Sequence, residues 1–225
     1  LYKNLPEKYT YKSPLERGLG GMSGMRYTPE NLRNGYYLSI LLKELCKING
    51  IEWIRLFYLY PNAISEELIN TLSEEKKICR YIDMPIQHIS DKLLKSMRRG
   101  TTLDGIRKLI ELIRNRLPDV AIRSALIVGY PGETDKDFEQ LLSFIEEIKF
   151  DRLAVFTYSD EDNTHAETLL DKIPEKVKKE RLQQIIDIQT EIAHDRNQSY
   201  VGKEVRTIID SISDEDGFAY EGRTE

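Results

Sequence analysis

Cysteine is scarce in this 225-residue chain, which has only Cys46 and Cys79. They stand far apart and form no CxxC pair, so a disulfide framework has no basis and both read as buried core thiols. Three histidines, His88, His165 and His194, share no HxxxH or HxH spacing, which argues against a zinc site. No apolar run approaches the roughly 18 residues needed to cross a bilayer. The first residues, Leu1-Tyr-Lys-Asn-Leu-Pro, have no secretory h-region, so a cytoplasmic location is the expectation. Neither sign of charge dominates. With 33 basic and 38 acidic residues the net charge is −5, which gives no broad grip on nucleic acid and no partner by charge alone. Gly20-Gly21 lacks both a preceding strand and a following Gly-Lys-Ser/Thr, so it is no phosphate loop. No Ser/His/Asp motif and no obvious carboxylate pair occur either.

What is present is a regular alternation. Tyr37–Ile48 has leucines at helical spacing, and Asn49-Gly50 stops it. Strands are expected at Ile51–Tyr58, Tyr81–Pro85, Val120–Val128 and Arg152–Tyr158. Helices are expected at Ser65–Lys76, Ser90–Met97, Thr102–Leu117 and Thr134–Ile148. Strands separated by helices at this spacing imply an α/β fold with a parallel sheet. After Pro174 a charged amphipathic helix reaches about Ser199, with Val177, Leu182, Ile185, Ile186, Ile188 and Ile192 as its apolar side. Gly202–Ile212 and Gly217–Gly222 then read as two strands joined by an acidic turn. Two strands bury no core alone, so the expectation is a β module cut short at Glu225. The first 36 residues, including glycine-rich Ser13–Met25, carry no periodicity and read as irregular. The domain reading is therefore 1–36 irregular, 37–199 βα repeat with trailing helix, and 200–225 truncated β module.

The densest signal is Arg123–Thr134, RSALIVGYPGET. An apolar strand, expected to be buried on both faces, meets a Gly-Pro-Gly turn and a helix start. Turning on Gly129 and Gly132 lets the backbone approach a ligand, and free helix N–H groups favour carboxylate or phosphate; an ordinary tight connection is the alternative. Ligands of parallel α/β folds sit at strand C-terminal ends. Gln87 and His88 stand at one such end, suited to a ribose or to capping loop backbone. Arg123 pairs either with a ligand or with Asp83. Tyr58, Tyr60, Tyr130 and Tyr158 sit at these ends too, as pocket walls for a flat ligand or as core.

Taken together, YIDMPIQHISDKLLKSMRRG (Tyr81 to Gly100), RSALIVGYPGET and AVFTYSDEDNTHA (Ala154 to Ala166) resemble the radical-SAM methylthiotransferases. PIQHISD and FTYSDEDNTHA are closer to the ribosomal-protein (RimO-type) branch than to the tRNA-modifying (MiaB-type) branch. The resemblance runs from about Leu38 to Glu225. It implies a partial radical-SAM (βα) barrel followed by the start of a TRAM-like β domain. It further implies methylthiolation of an aspartate in a small-subunit ribosomal protein, using S-adenosyl-L-methionine (SAM) and two 4Fe-4S clusters. Gln87, Arg123, Gly129, Pro131, Gly132 and Tyr158 are the positions it points to for SAM or pocket contacts. The chain departs from the family in its cysteines. The family's CxxxCxxC loop is absent, and thiolates are what hold such clusters. KNLPEKYT (Lys3 to Thr10) resembles the lead-in to the family's first strand, whereas Tyr36 onward resembles a later stretch. The expectation is an incomplete copy without metal ligands, inactive by itself, with an unpartnered sheet edge at Ile51–Tyr58 that favours self-association. A non-catalytic SAM- or ribosomal-protein-binding remnant is one alternative, and a tRNA methylthiotransferase (MiaB type) is another.

Overall fold

The computed structural model describes residues 36–225; the irregular segment expected over 1–36, with Gly20-Gly21 and Ser13–Met25, falls almost wholly outside them. Four parallel strands form one sheet in the order β1 (Ile54–Leu56), β2 (Ile78–Asp83), β3 (Ala121–Val128) and β4 (Arg152–Thr157). Each neighbour in space is the next strand in sequence, so every connection is a helical crossover. Helix α1 (Tyr36–Cys46) precedes β1, α2 (Glu66–Glu74) links β1 to β2, and α3 (Asp91–Ser96) and α4 (Leu103–Arg116) link β2 to β3. Helix α5 (Asp135–Ile148) links β3 to β4, and α6 (Glu175–Gln198) follows. Among the described residues no helix is long and apolar enough to cross a membrane.

Local chemistry fixes the helix starts. Ser65 and Thr102 accept hydrogen bonds from the N–H groups of Leu68 and Gly105, and Thr134 with Asp137 completes a reciprocal capping box. In the four-stranded sheet the strand bounds differ most from the sequence expectation at β1 and β2. Strand β1 covers only Ile54–Leu56 of the expected Ile51–Tyr58, and on its C-terminal side Tyr58 turns to φ 56°, off the extended path. Strand β2 starts earlier than Tyr81, at Ile78. Its charged Arg80 is tolerated there because the guanidinium caps carbonyls of Leu72 and Ser73 at the end of α2.

Register assigns the two faces of the sheet. Ile82, Ile122, Leu126 and Val128 point to the helices and are fully buried against Leu68, Leu72, Ile110, Phe144, Ile145 and Ile185. Each such side chain contributes about 1.5–3 kcal/mol of burial. Tyr81, Asp83, Arg123, Ala125, Ile127, Arg152, Ala154 and Phe156 share the other face. Strand β3 therefore alternates half-buried and buried positions, not buried on both faces as its continuous apolar run suggested, because helices cover one side only. Cys79 is buried as expected, whereas Cys46 at the end of α1 is only half-buried.

Strands β5 (Thr207–Ile212) and β6 (Tyr220–Thr224) form a separate antiparallel hairpin, joined by Asp210–Arg223 bonds of 2.6 and 2.7 Å. Every residue in both strands is exposed, which agrees with two strands being unable to enclose a core.

Candidate functional site

The C-terminal ends of β2, β3 and β4 bring the three sequence motifs together. Past β2, the main chain of Gln87 stays in register with β3: its N–H donates to Ala125 at 2.9 Å, and its carbonyl accepts from Ile127 at 2.8 Å. Gln87 does so at φ 71°, a left-handed conformation costly for a residue with a Cβ. Tyr58 beyond β1 is likewise left-handed. Its N–H donates at 3.2 Å to Asp83, a fully buried carboxylate that also accepts from Arg123 at 2.8 Å. Arg123 is thus paired with Asp83, as one of its two sequence readings has it, while its side chain stays partly exposed.

At the β3 corner, Gly129 turns at φ 74° and Gly132 at φ 82°. The N–H groups here are not free. Gly129 donates to the Glu133 carboxylate, Gly132 to the carbonyl of Asp171, Glu133 to that of Tyr130, and Thr134 to Asp137. The anion cradle expected of this turn is therefore filled by protein acceptors. Pro131 is buried within the corner.

Glu133 was not among the sequence candidates, yet it is the centre of the corner. It is buried, faces Arg181 of α6 at 3.2 Å and lies 3.5 Å from Nε2 of His88, itself fully buried. His88 Nδ1 accepts the Ser90 N–H at 2.9 Å, which leaves Nε2 to carry the proton toward Glu133. His88 accordingly faces the interior and offers nothing to a ribose.

Tyr158 follows β4. Its N–H donates to Val128, its hydroxyl to Asp160 at 2.8 Å, and its ring meets Tyr130 edge-on at 5.3 Å between centroids. Partial burial and the Asp160 carboxylate push the phenol up to about 12, so it stays neutral. Tyr60 instead lies under the Arg99 guanidinium, and Tyr58 is largely exposed beside Phe57. The four tyrosines form two groups, not one wall.

Asp137 binds the corner to α3. It accepts from the Thr134 N–H and hydroxyl, from Ser90 at 2.7 Å and from Lys92 at 3.2 Å. Burial by itself would raise its pKa, but these bonds outweigh that and hold the carboxyl well below the usual carboxylate range. A depressed folded-state pKa means its stabilisation is complete above the ordinary carboxylate range and is lost as pH falls through it. Acid unfolding followed by circular dichroism should therefore show a steeper loss of stability below about pH 5 for the wild type than for Asp137→Asn. At neutral pH that variant should be about 1 kcal/mol less stable, through its damaged capping box. Parallel acid profiles for the two proteins would refute this.

The remaining chemistry concerns metal. Burial raises the pKa of both thiols, with Glu75 adding to it at Cys46 and Arg55 opposing it at Cys79, so neither is a poised thiolate. Among the described residues no group of three or more His, Cys, Asp or Glu has metal-binding geometry. With two cysteines in the sequence, the residues present do not fit a cluster held by three thiolates.

A parallel βα sheet carrying such corners at its strand ends defines a class, and the sequence pattern of the radical SAM superfamily matches residues 28–145. The chain belongs to that superfamily. Within it, the chain is 49% identical over 188 residues to the ribosomal protein uS12 methylthiotransferase RimO of Flavobacterium psychrophilum, covering 84% of this chain and 43% of that protein. It is 44% identical over 187 residues to the protein of the same name from Geobacter sulfurreducens, covering 83% and 42%. The chain thus spans about two-fifths of the length of the curated relatives it matches. Among solved structures, coproporphyrinogen III oxidase (HemN) from Escherichia coli, a radical SAM enzyme, is similar with a TM-score of 0.58 and 24% identity. That match covers 73% of this chain and 38% of the oxidase, and it shows the fold alone.

Proposed function

We propose that this chain is the βα portion of a cytoplasmic ribosomal-protein methylthiotransferase of the radical SAM superfamily. Its strand ends bind SAM and present it to an aspartate of a small-subunit ribosomal protein, the uS12 named for its relatives. The single observation that carries this reading is the 49% identity over 188 residues to a uS12 methylthiotransferase. Gln87, Arg123, Gly129, Pro131, Gly132 and Tyr158 are the positions proposed for the SAM pocket. Their support is placement: all but Arg123 lie just beyond β2, β3 or β4, and Arg123 faces the side of the sheet not covered by helices. On that side the exposed ring of Phe156 suits an adenine, and the exposed Arg152 guanidinium, beside the Asp83-paired Arg123, suits a carboxylate. The hairpin at 207–224 is proposed as the start of a TRAM-like module.

Transfer of a methylthio group requires cluster chemistry for which this chain has no ligand set, so no step of the reaction is assigned to its residues. The expected behaviour of this chain is SAM binding without turnover. Anaerobic reconstitution with iron and sulfide should leave less than about one iron per chain, read by iron assay and absorbance, whereas about four irons with the matching absorption band would overturn the assignment. Isothermal titration with SAM, and capture of uS12 against a tRNA control, test the binding half. Absence of SAM binding would refute the proposed pocket.

A further inference from the structure

Helix α6 places two cations among the motif-bearing strand ends. Lys178 lays its aliphatic stem over Gly129, and its ammonium donates to the carbonyl of Tyr158 at 2.9 Å and to Glu175 at 2.6 Å. One turn later Arg181 faces the Glu133 carboxylate at 3.2 Å, approaches the Glu133 carbonyl at 3.4 Å and donates to Asp135 at 2.7 Å. Both cationic side chains are more than nine-tenths buried. Glu133 in turn accepts from Gly129 and faces His88. The segments after β2, β3 and β4 thus converge on two residues of one helix.

Attachment of α6 to the sheet does not need this arrangement. Ile185 and Ile192 already bury the helix against the core, and burying a cation is costly even when it is paired. Nε2 of His88 and Oε1 of Glu133 also stay 3.5 Å apart without a good hydrogen bond, although both are buried. A costly polar network, imperfectly satisfied and centred on strand ends, belongs to the shape of those ends more than to the stability of the sheet. We propose that Lys178 and Arg181 are positioning residues that hold the Gly129–Asp135 corner and the Tyr158 backbone in the arrangement that binds SAM. The SAM part rests on the functional reading above; the positioning part rests on the contacts alone.

Hydrogen exchange read by mass spectrometry, with SAM titration on the same proteins, separates the two. Lys178→Met keeps the stem over Gly129 and removes the ammonium; Arg181→Met removes the guanidinium. In both, exchange across 129–134 and 157–159 should rise about tenfold or more while Ile122–Leu126 stays protected. SAM affinity should fall by about tenfold. Arg181→Lys, which restores a charge against Glu133, should recover protection of the corner. Unchanged exchange at the corner, or an equal rise throughout the sheet, would overturn the positioning role. If Arg181→Met does not fold, Lys178→Met decides, since it leaves the buried Glu133–Arg181 pair intact. If the wild-type chain binds no SAM, the pocket reading fails, while the exchange pattern still decides the positioning role.

Discussion

Glu133→Gln should destabilise the chain by about 3–5 kcal/mol, a cost expected when one partner of a buried ion pair loses its charge. The substitution keeps the shape of the side chain, and the amide oxygen still accepts from the Gly129 N–H. What changes is the charge opposite Arg181. That guanidinium is buried, and its remaining carboxylate partner, Asp135, is largely exposed and weakened by solvent. His88 would also face an amide where it now faces a carboxylate. For a chain of this size the loss corresponds to a fall in Tm of roughly 6–20 °C. Combining Glu133→Gln with Arg181→Met removes both charges and should recover part of the loss, a coupling measurable in a double-mutant cycle. A single variant within about 1 kcal/mol of wild type would mean that Arg181 is adequately solvated without Glu133.

Glu133 and Arg181 also show which part of the molecule was legible in the sequence. Period and capping signals located the helices and the parallel order, because apolar residues at helical spacing bury regardless of their partners. The stripe of α6 is legible only in part for the same reason. On its apolar side, Val177, Leu182, Ile185, Ile186, Ile188 and Ile192, two residues, Ile185 and Ile192, are buried and Leu182 and Ile188 pack half-buried against the core, but the full set of buried positions is Lys178, Arg181, Ile185, Gln189 and Ile192. These recur at helical spacing, so the period was available; three of the five are polar, and a hydrophobicity count rotates the helix away from them. Ile186 is substantially exposed as a result. The helix lies against strand ends rich in carbonyls and a buried carboxylate, and its buried cations meet those acceptors. A sequence can reveal such a match only when both partners are considered together. The Gly-Pro-Gly corner was found, but its filled N–H groups were not foreseeable. Their acceptors, Glu133 and the Asp171 carbonyl, reach them through folding of the turn and of the loop before α6. Asp83 was named as a partner for Arg123, and the pair forms because the two residues are in direct register on adjacent parallel strands.

Gly129→Ala should cost about 2–5 kcal/mol, although it adds one methyl group. The left-handed backbone at φ 74° accounts for about 1–2 kcal/mol of this for any residue with a Cβ. The rest is steric. A Cβ at this position would lie 2.3 Å from Cγ of Lys178 and 2.9 Å from its Cδ. Those atoms belong to the stem, and the ammonium beyond them is held by Tyr158 and Glu175, so the side chain cannot swing aside without exposing or unpairing its charge. Overpacking of this kind typically adds about 1–3 kcal/mol. Gly132 provides the internal control, because it has a similar φ of 82° but nothing within 4 Å of an added Cβ. Gly132→Ala should therefore lose only the backbone part, about 1–2 kcal/mol. Urea unfolding of the two variants separates the contributions, since the difference between them measures the Lys178 contact alone. Adding Lys178→Ala to Gly129→Ala should bring its further cost close to that of Gly132→Ala. Equal losses for the two single variants would show that α6 yields at Lys178, and that the close approach of helix to corner is not what reserves this position for glycine.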